Sequence, residues 1–155
     1  MVWAPVVFTV SPAGDSYLAK WGCSPITSLP GCAGNPATLA ALAPSAPLGA
    51  PLPLRITGSA AVSGLGVVVY GGPGIDGSGC GLVVPGFGEL LLALAPAPKT
   101  LTSGVLAGGV CDLSPLVPSI PSLSGVTAYL QGAAVDFVLA QPIELTNALA
   151  VKLGP

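Results

Sequence analysis

Histidine is absent from this 155-residue sequence, and charged side chains are scarce, with four basic and six acidic residues in all. A Ser-His-Asp or Cys-His site in its ordinary form is excluded, because both need an imidazole base. No two cysteines stand in a C-x-x-C spacing, so there is no zinc pattern. Strand alternation predicts that Asp136 and Glu144 face outward. Two acids could meet across strands, as a glycosidase needs, but nothing in the sequence argues for such a pair. We therefore expect no catalytic residue, no metal, no cofactor and no enzyme.

Charge is also too thinly spread to bind a polyanion. The basic residues stand singly at Lys20, Arg55, Lys99 and Lys152, and nucleic-acid binding needs them clustered. Charged residues make up 6% of the chain, against about 25% in an ordinary soluble domain. A surface so poor in charge favours association, which is the first indication that copies of the chain assemble with one another.

Long apolar runs are missing as well, although 52% of the residues are hydrophobic and the mean hydropathy is +0.84. The 22 glycines and 18 prolines interrupt every candidate for a membrane-spanning helix, which needs about 18 apolar residues. Short apolar pieces between Gly/Pro turns are typical of short strands. We predict an all-β fold, a two-sheet, jelly-roll-like β-sandwich of about nine short strands without a substantial helix and without a membrane span.

The C-terminal end has the clearest strand pattern. Over 143–153 the odd-numbered positions are apolar except Asn147, whereas the even ones include polar residues such as Glu144. This period of two predicts a strand whose odd positions face the core, and Asn147 indicates a bulge or kink. Similar alternation over 126–131 and 135–139 predicts a β-meander that closes a sheet.

The start of the chain contains a second apolar strand candidate. Its face consists of alternate residues, Val2, Ala4, Val6, Phe8 and Val10. Pro5 removes a donor from the strand ladder, which favours an edge strand or a strand bound in a groove. The strand is either donated to the sheet of a neighbouring copy or is an ordinary first strand of its own sandwich. We divide the chain into 1–30, the N-terminal strand and a cysteine-containing loop, and 31–155, a single β-sandwich domain.

Four cysteines, Cys23, Cys32, Cys80 and Cys111, are flanked by Gly or Asp, as in loops. Two disulfides predict an exported protein, because disulfides persist in oxidising compartments. Four buried thiols in a cytosolic protein are the alternative, and the residues alone leave three pairings open. The start lacks a basic n-region, so we expect export through a signal peptide that is not visible in this numbering.

Five stretches carry a recognisable pattern: GCAGNPATLAAL at 31–42, LGAPLPLRITG at 48–58, GCGLVV at 79–84, IPSLSGVTAYLQGAAVDF at 120–137 and LTNALAVKLG at 145–154. From about residue 31 to the end, the chain resembles the Gly/Pro/Leu-rich secreted β-domains that are abundant in planctomycete exported and surface proteins. The resemblance implies that Cys32 pairs with Cys80, which leaves Cys23 for Cys111. It implies no catalytic residues.

These features favour a structural subunit of an extracellular filament or surface assembly, whose partners are copies of itself joined by strand addition. The alternative is a monomeric adhesion or carbohydrate-binding module on the cell surface. Its partner is a surface glycan, stacked on a platform of the aromatic residues Trp3, Tyr17, Trp21 and Tyr70. Core packing or edge covering is the competing role for these aromatic side chains.

Overall fold

A computed structural model describes the backbone of 7–10 and 16–19, and both backbone and side chains of 25–75 and 79–154. The described residues contain strands, a single 3-10 turn at Pro121–Leu123 and no α-helix, so the all-β prediction is confirmed. The strands are β1 Val7–Val10, β2 Ser16–Ala19, β3 Ile26–Leu29, β4 Thr38–Ala41, β5 Ala46–Pro47, β6 Leu54–Thr57, β7 Ser63–Gly71, β8 Leu82–Val84, β9 Gly88–Leu90, β10 Lys99–Ala107, β11 Val110–Leu113, β12 Thr127–Val135 and β13 Ile143–Gly154. No helix long and apolar enough to cross a membrane occurs in this part of the chain.

Nine of these strands belong to one sheet that nearly closes on itself. Its order is β3-β13-β12-β7-β10-β11-β6-β4, and β5 runs parallel to the end of β13. The sheet nearly closes because β4, at one end of the order, contacts β13. Ala37, just before β4, forms a bridge with Thr146 of β13. The Asn147 side-chain amide accepts a hydrogen bond from the Leu39 N–H and donates one to the Leu39 carbonyl. The predicted two-sheet, jelly-roll arrangement is not confirmed. The sheet begins at Ile26, five residues before the predicted domain boundary, because β3 pairs with β13.

The core lies inside this curved sheet. Strand alternation directs one residue in two inward, and the largest fully buried apolar side chains include Leu54, Ile56, Val68, Leu106 and Val151. They come from β6, β7, β10 and β13. Strands from both halves of the sheet order therefore contribute side chains to one core. The expected meander is correct for β12 and β13, but the chain beyond Val135 is not a strand over 136–139, and Val138 is 89% exposed.

A bulge in β13 reverses the predicted facing of its first half. The β12–β13 register shifts between Gln131 and Ala133, next to Asn147, as predicted there. Before the shift the even positions are buried, Glu144 at 6% and Thr146 at 0% exposure, and after it the odd positions are buried. Asp136 follows the last residue of β12 and is 2% exposed, so the expectation that it faces outward is wrong. The same expectation is wrong for Glu144 because of the bulge. One extra residue changes the phase of a period-two pattern.

A disulfide joins Cys32 to Cys80, as the resemblance implies, with their Cα atoms 4.9 Å apart. Cys111 instead carries a buried free thiol, which departs from the expected pairing with Cys23. Cys23 itself lies outside the described residues. Burial raises the pKa of the Cys111 thiol above its ordinary value. The Cys111 thiol of β11 packs against Gly66 of β7 and Gly104 of β10. It leaves no room for a side chain at Gly66.

Reduction of the Cys32–Cys80 bond should lower the free energy of unfolding by about 4 kcal/mol, because the bond closes a long loop in the unfolded chain. The two cysteines are 48 residues apart. Urea denaturation with and without dithiothreitol measures the difference. The double variant Cys32→Ala/Cys80→Ala is the control and should not respond to the reductant. An equal response in both proteins would contradict this account.

Gly66→Ala should destabilise the fold by about 1–3 kcal/mol, as overpacked cores do. A Cβ at this position would lie 2.7 Å from both Cβ and Sγ of Cys111. Gly71→Ala in the same strand is the matched control, since its Cβ would meet only Pro98, at 3.6 Å or more. Thermal and urea melts of the two variants test the prediction, and equal stability would refute the close-packing explanation.

Candidate functional site

The N-terminal strand β1 belongs to a two-stranded sheet that is separate from the nine-stranded sheet. Among the described residues, β1 pairs only with β2, from Val7 opposite Ala19 to Val10 opposite Ser16. The predicted assembly positions Phe8 and Val10 therefore stand in β1, whereas the predicted positions Val2, Ala4 and Val6 lie outside the described residues. As far as the described part of the chain shows, β1 does not serve as a strand of its own main sheet.

Proline bounds the edge strand β3 of the main sheet and recurs in the extended segment that follows β11. The edge strand β3 is bounded by Pro25 and Pro30. Beyond β11, the chain continues as an extended segment in which Leu116 bridges Pro51, and this segment contains Pro115 and Pro118. Because proline cannot donate to a strand ladder, both stretches are protected against the addition of another strand.

The outer edge of β10 has no such protection. β10 pairs along its whole length with β7, but its pairing with β11 is confined to Ala107 and Val110. Over the described chain, no other backbone hydrogen bond links Lys99–Leu106 to an element besides β7. The stretch contains no proline. A strand edge of this kind presents unpaired N–H and C=O groups to an incoming strand.

An apolar groove of about 590 Å³ opens beside the first half of β10. It is lined by Leu101 of β10, Leu130 of β12 and Val151 of β13. Leu116 and Val117, from the segment after β11, also line it. Among the described residues that line it, Lys99 alone is charged. Leu116 is 68% exposed although it is apolar. The groove and the open edge were not predicted, and the run of strand residues without proline was the one signal in the sequence.

The Glu144 carboxylate is occupied by the loop between β6 and β7. Its oxygens accept hydrogen bonds from the backbone N–H groups of Ser59 at 2.9 Å, Ala60 at 2.9 Å and Ala61 at 3.2 Å, and from the Ser59 hydroxyl at 2.7 Å. Burial raises the pKa of this carboxyl, but the hydrogen bonds from Ser59, Ala60 and Ala61 outweigh it, so the pKa of Glu144 lies below its ordinary value.

Asp136 binds the next residues of the same loop. Its carboxylate accepts hydrogen bonds from the N–H groups of Val62 and Ser63, both at 3.2 Å, and of Val138 at 3.1 Å. The bonds from Val138 and Ser63 lower the pKa of Asp136 below its ordinary value. Glu144 and Asp136 together therefore bind every backbone N–H from residue 59 to residue 63, which is a structural task for both acids.

Glu89 has a similar role beside the disulfide. It is fully buried, and its carboxylate accepts hydrogen bonds from the N–H groups of Cys32 at 2.8 Å, Ala33 at 2.9 Å and Gly81. The sulfurs of Cys32 and Cys80 and a Glu89 oxygen lie within 4.8 Å of one another, a spacing that metal ligands also show. Both sulfurs are joined in the disulfide, however, and metals bind thiolates.

The remaining polar groups near these acids form a buried network across the bulge. The Gln131 amide accepts from Leu91 N–H at 2.9 Å and donates to the carbonyls of Glu89 and Thr146 at 2.7 and 2.8 Å. Asn35 donates to the same two carbonyls. No buried side-chain oxygen or nitrogen in the described residues lacks a hydrogen-bond partner. None of these buried groups therefore indicates a ligand-binding site by being unsatisfied.

Of the predicted sugar-stacking residues, the structure describes the side chain of Tyr70 alone. Tyr70 is 39% exposed and lines the apolar groove near Lys99. Trp3 and Trp21 lie outside the described residues, and only the backbone of Tyr17 is described. The platform itself therefore stays a prediction.

Comparisons of this chain with protein-family models, with curated proteins and with solved structures found no match. The resemblance to secreted planctomycete β-domains stays a prediction, and the function has to be argued from the geometry.

Acid should destabilise the fold through Asp136 and Glu144. Their pKa values are lowered in the folded state, so their contribution is complete above the unfolded values of about 4 and is lost as the pH falls through the folded values. Urea midpoints should be nearly constant from about pH 7 to 5 and then fall. Glu144→Gln should reduce this acid-induced loss. Asp112→Asn, which removes only an exposed ion pair with Arg55, should change it less.

Proposed function

We propose that this protein is a structural subunit of an extracellular filament or surface assembly, in which neighbouring copies are joined by strand addition. The observation that carries the proposal is the isolation of β1, which pairs only with β2 among the described residues. An apolar strand that is not used by its own main sheet is available to the sheet of a neighbour.

The surface supports the same function. Of the six acids, Glu89, Asp136 and Glu144 are buried, and Asp112 is paired with Arg55. Large apolar side chains are left exposed on the outside, among them Val105 at 74% and Phe137 at 77%. A surface with so few free charges and with exposed apolar residues is prone to self-association.

An extracellular location fits the Cys32–Cys80 disulfide, since such bonds persist in oxidising compartments. Export would proceed through a signal peptide, and the fold would fall among the jelly-roll-like secreted β-domains that the sequence resembles. We assign no enzymatic activity, because the buried acids are engaged with backbone N–H groups. The partners are copies of the chain itself.

A second candidate is a monomeric adhesion or carbohydrate-binding module. The observation that favours it is Tyr70, which is partly exposed at the rim of a groove that also contains Thr127 and Lys99. An aromatic face beside hydrogen-bonding groups is a common arrangement for binding a sugar.

Removal of Met1–Ser11 should abolish assembly, because it removes the strand that is proposed to be donated. Negative-stain electron microscopy and light scattering of the purified full chain beside the truncated chain measure this. Filaments from the full chain and monomers from the truncated chain are the expected result. Circular dichroism establishes that the truncated chain keeps its β structure.

Monomers from both chains would end the assembly hypothesis. The glycan-binding alternative would then be tested by titrating Tyr70→Ala and the unmodified chain against surface polysaccharides, with loss of binding in the variant as its expected outcome. Assembly that survives the truncation would show that the joint lies elsewhere in the chain.

A further inference from the structure

The open edge of β10 and the apolar groove beside it lie side by side, and each lacks a partner in the described part of the chain. We infer that they form the acceptor for the N-terminal strand of a second copy. The inference rests on the proposed function, which names the donated strand but not the place where it binds.

The backbone supplies the first argument. β10 meets β11 only at Ala107 and Val110, and the edge from Lys99 to Leu106 is unpaired among the described residues. A strand that lies along it would satisfy these N–H and C=O groups and would extend the ladder from β7 and β10 by one strand. The unpaired edge Lys99–Leu106 has eight residues, close to the nine of the donor segment 2–10.

The side chains supply the second argument. The groove is lined mainly by apolar side chains from β10, β12, β13 and the segment 115–118. The donor segment has an apolar face of alternate residues, Ala4, Val6 and Phe8 among them. Alternate side chains of an added strand point to one face of the sheet, so this face would fill the groove while the backbone pairs with β10.

The distribution of proline supplies the third argument. The edge strand β3 is bounded by Pro25 and Pro30, and the extended segment beyond β11, in which Leu116 bridges Pro51, contains Pro115 and Pro118. The same chain, which has 18 prolines, places none in β10. Natural sheets protect the edges that must not pair. Within the described ranges, the unpaired edge of β10 is long and carries no proline, and it is therefore the edge that we assign to pairing.

Donor and acceptor are different surfaces of the subunit. A contact between them is head-to-tail, and such a contact produces an open chain of subunits when the rotation does not close a ring. This geometry connects the acceptor to a filament and not to a two-fold dimer. It also allows a complementation test: a variant with a defective donor and a variant with a defective acceptor should still bind each other, because a head-to-tail contact uses two different surfaces.

The test uses the full chain with two kinds of variant. Val6→Asp/Phe8→Asp puts charges on the donor face and leaves the groove intact. Leu116→Glu puts a charge on the wall of the groove and leaves the donor intact. Leu116 is 68% exposed in the subunit, so the fold should tolerate the change. Ala97→Glu, at another exposed lining position, is the second acceptor variant. Val83→Glu is the matched control, at 59% exposure and outside the groove.

Size-exclusion chromatography with light scattering gives the readout. The unmodified chain and Val83→Glu should assemble alike, whereas the donor and acceptor variants should each be monomeric, with association at least about tenfold weaker because a charge must enter an apolar contact. An equimolar mixture of the two defective variants should form a heterodimer that does not extend, since it contains one functional donor and one functional acceptor.

The outcomes separate the two proposals. If both acceptor variants assemble like the unmodified chain while the donor variant does not, the groove is not the acceptor and strand donation survives. If the unmodified chain is monomeric, or the donor variant still assembles, strand donation fails, and the acceptor fails with it. A mixture of defective variants that stays monomeric would also overturn the assignment of the groove.

Discussion

The fold depends on buried carboxylates that bind backbone N–H groups. Loops of Gly, Ala and Val have no polar side chains of their own, and a buried N–H without an acceptor is costly. Glu144 and Asp136 bind the N–H groups of residues 59 to 63, and Glu89 binds those of Cys32, Ala33 and Gly81. Three long-range connections between loops and strands are made in this way. For Asp136 and Glu144, whose pKa values are lowered, the acceptor is a carboxylate, and such hydrogen bonds are stronger than neutral ones.

This use of the acids has a consequence at the surface. Three of the six acids are buried and Asp112 is paired with Arg55, so few free charges remain on the described surface, which includes many exposed apolar side chains. Such a surface favours contact with other copies. The stability of the subunit and its proposed assembly therefore both depend on the small number of charged residues in the chain. Prolines limit the edges at which another strand can be added.

The β12–β13 pair shows how far a local pattern predicts structure. The alternation over 143–153 correctly predicted a strand, and Asn147 correctly predicted an interruption. The pattern did not reveal which half of the strand changes its facing at the interruption. Glu144 was therefore predicted to face solvent, although it is 6% exposed. Strand β3 was missed because four residues between prolines carry too short a pattern, and its pairing partner is far away in sequence.

The sequence by itself determined that the fold is all-β, since the glycines and prolines leave room only for short elements and their apolar residues alternate with a period of two. It also determined that no imidazole takes part in any chemistry. Only the tertiary structure decided that Glu144, Asp136 and Glu89 are buried, and that β10 keeps an open edge beside an apolar groove. These features depend on contacts between residues that are distant in sequence, and a local pattern carries no information about such contacts.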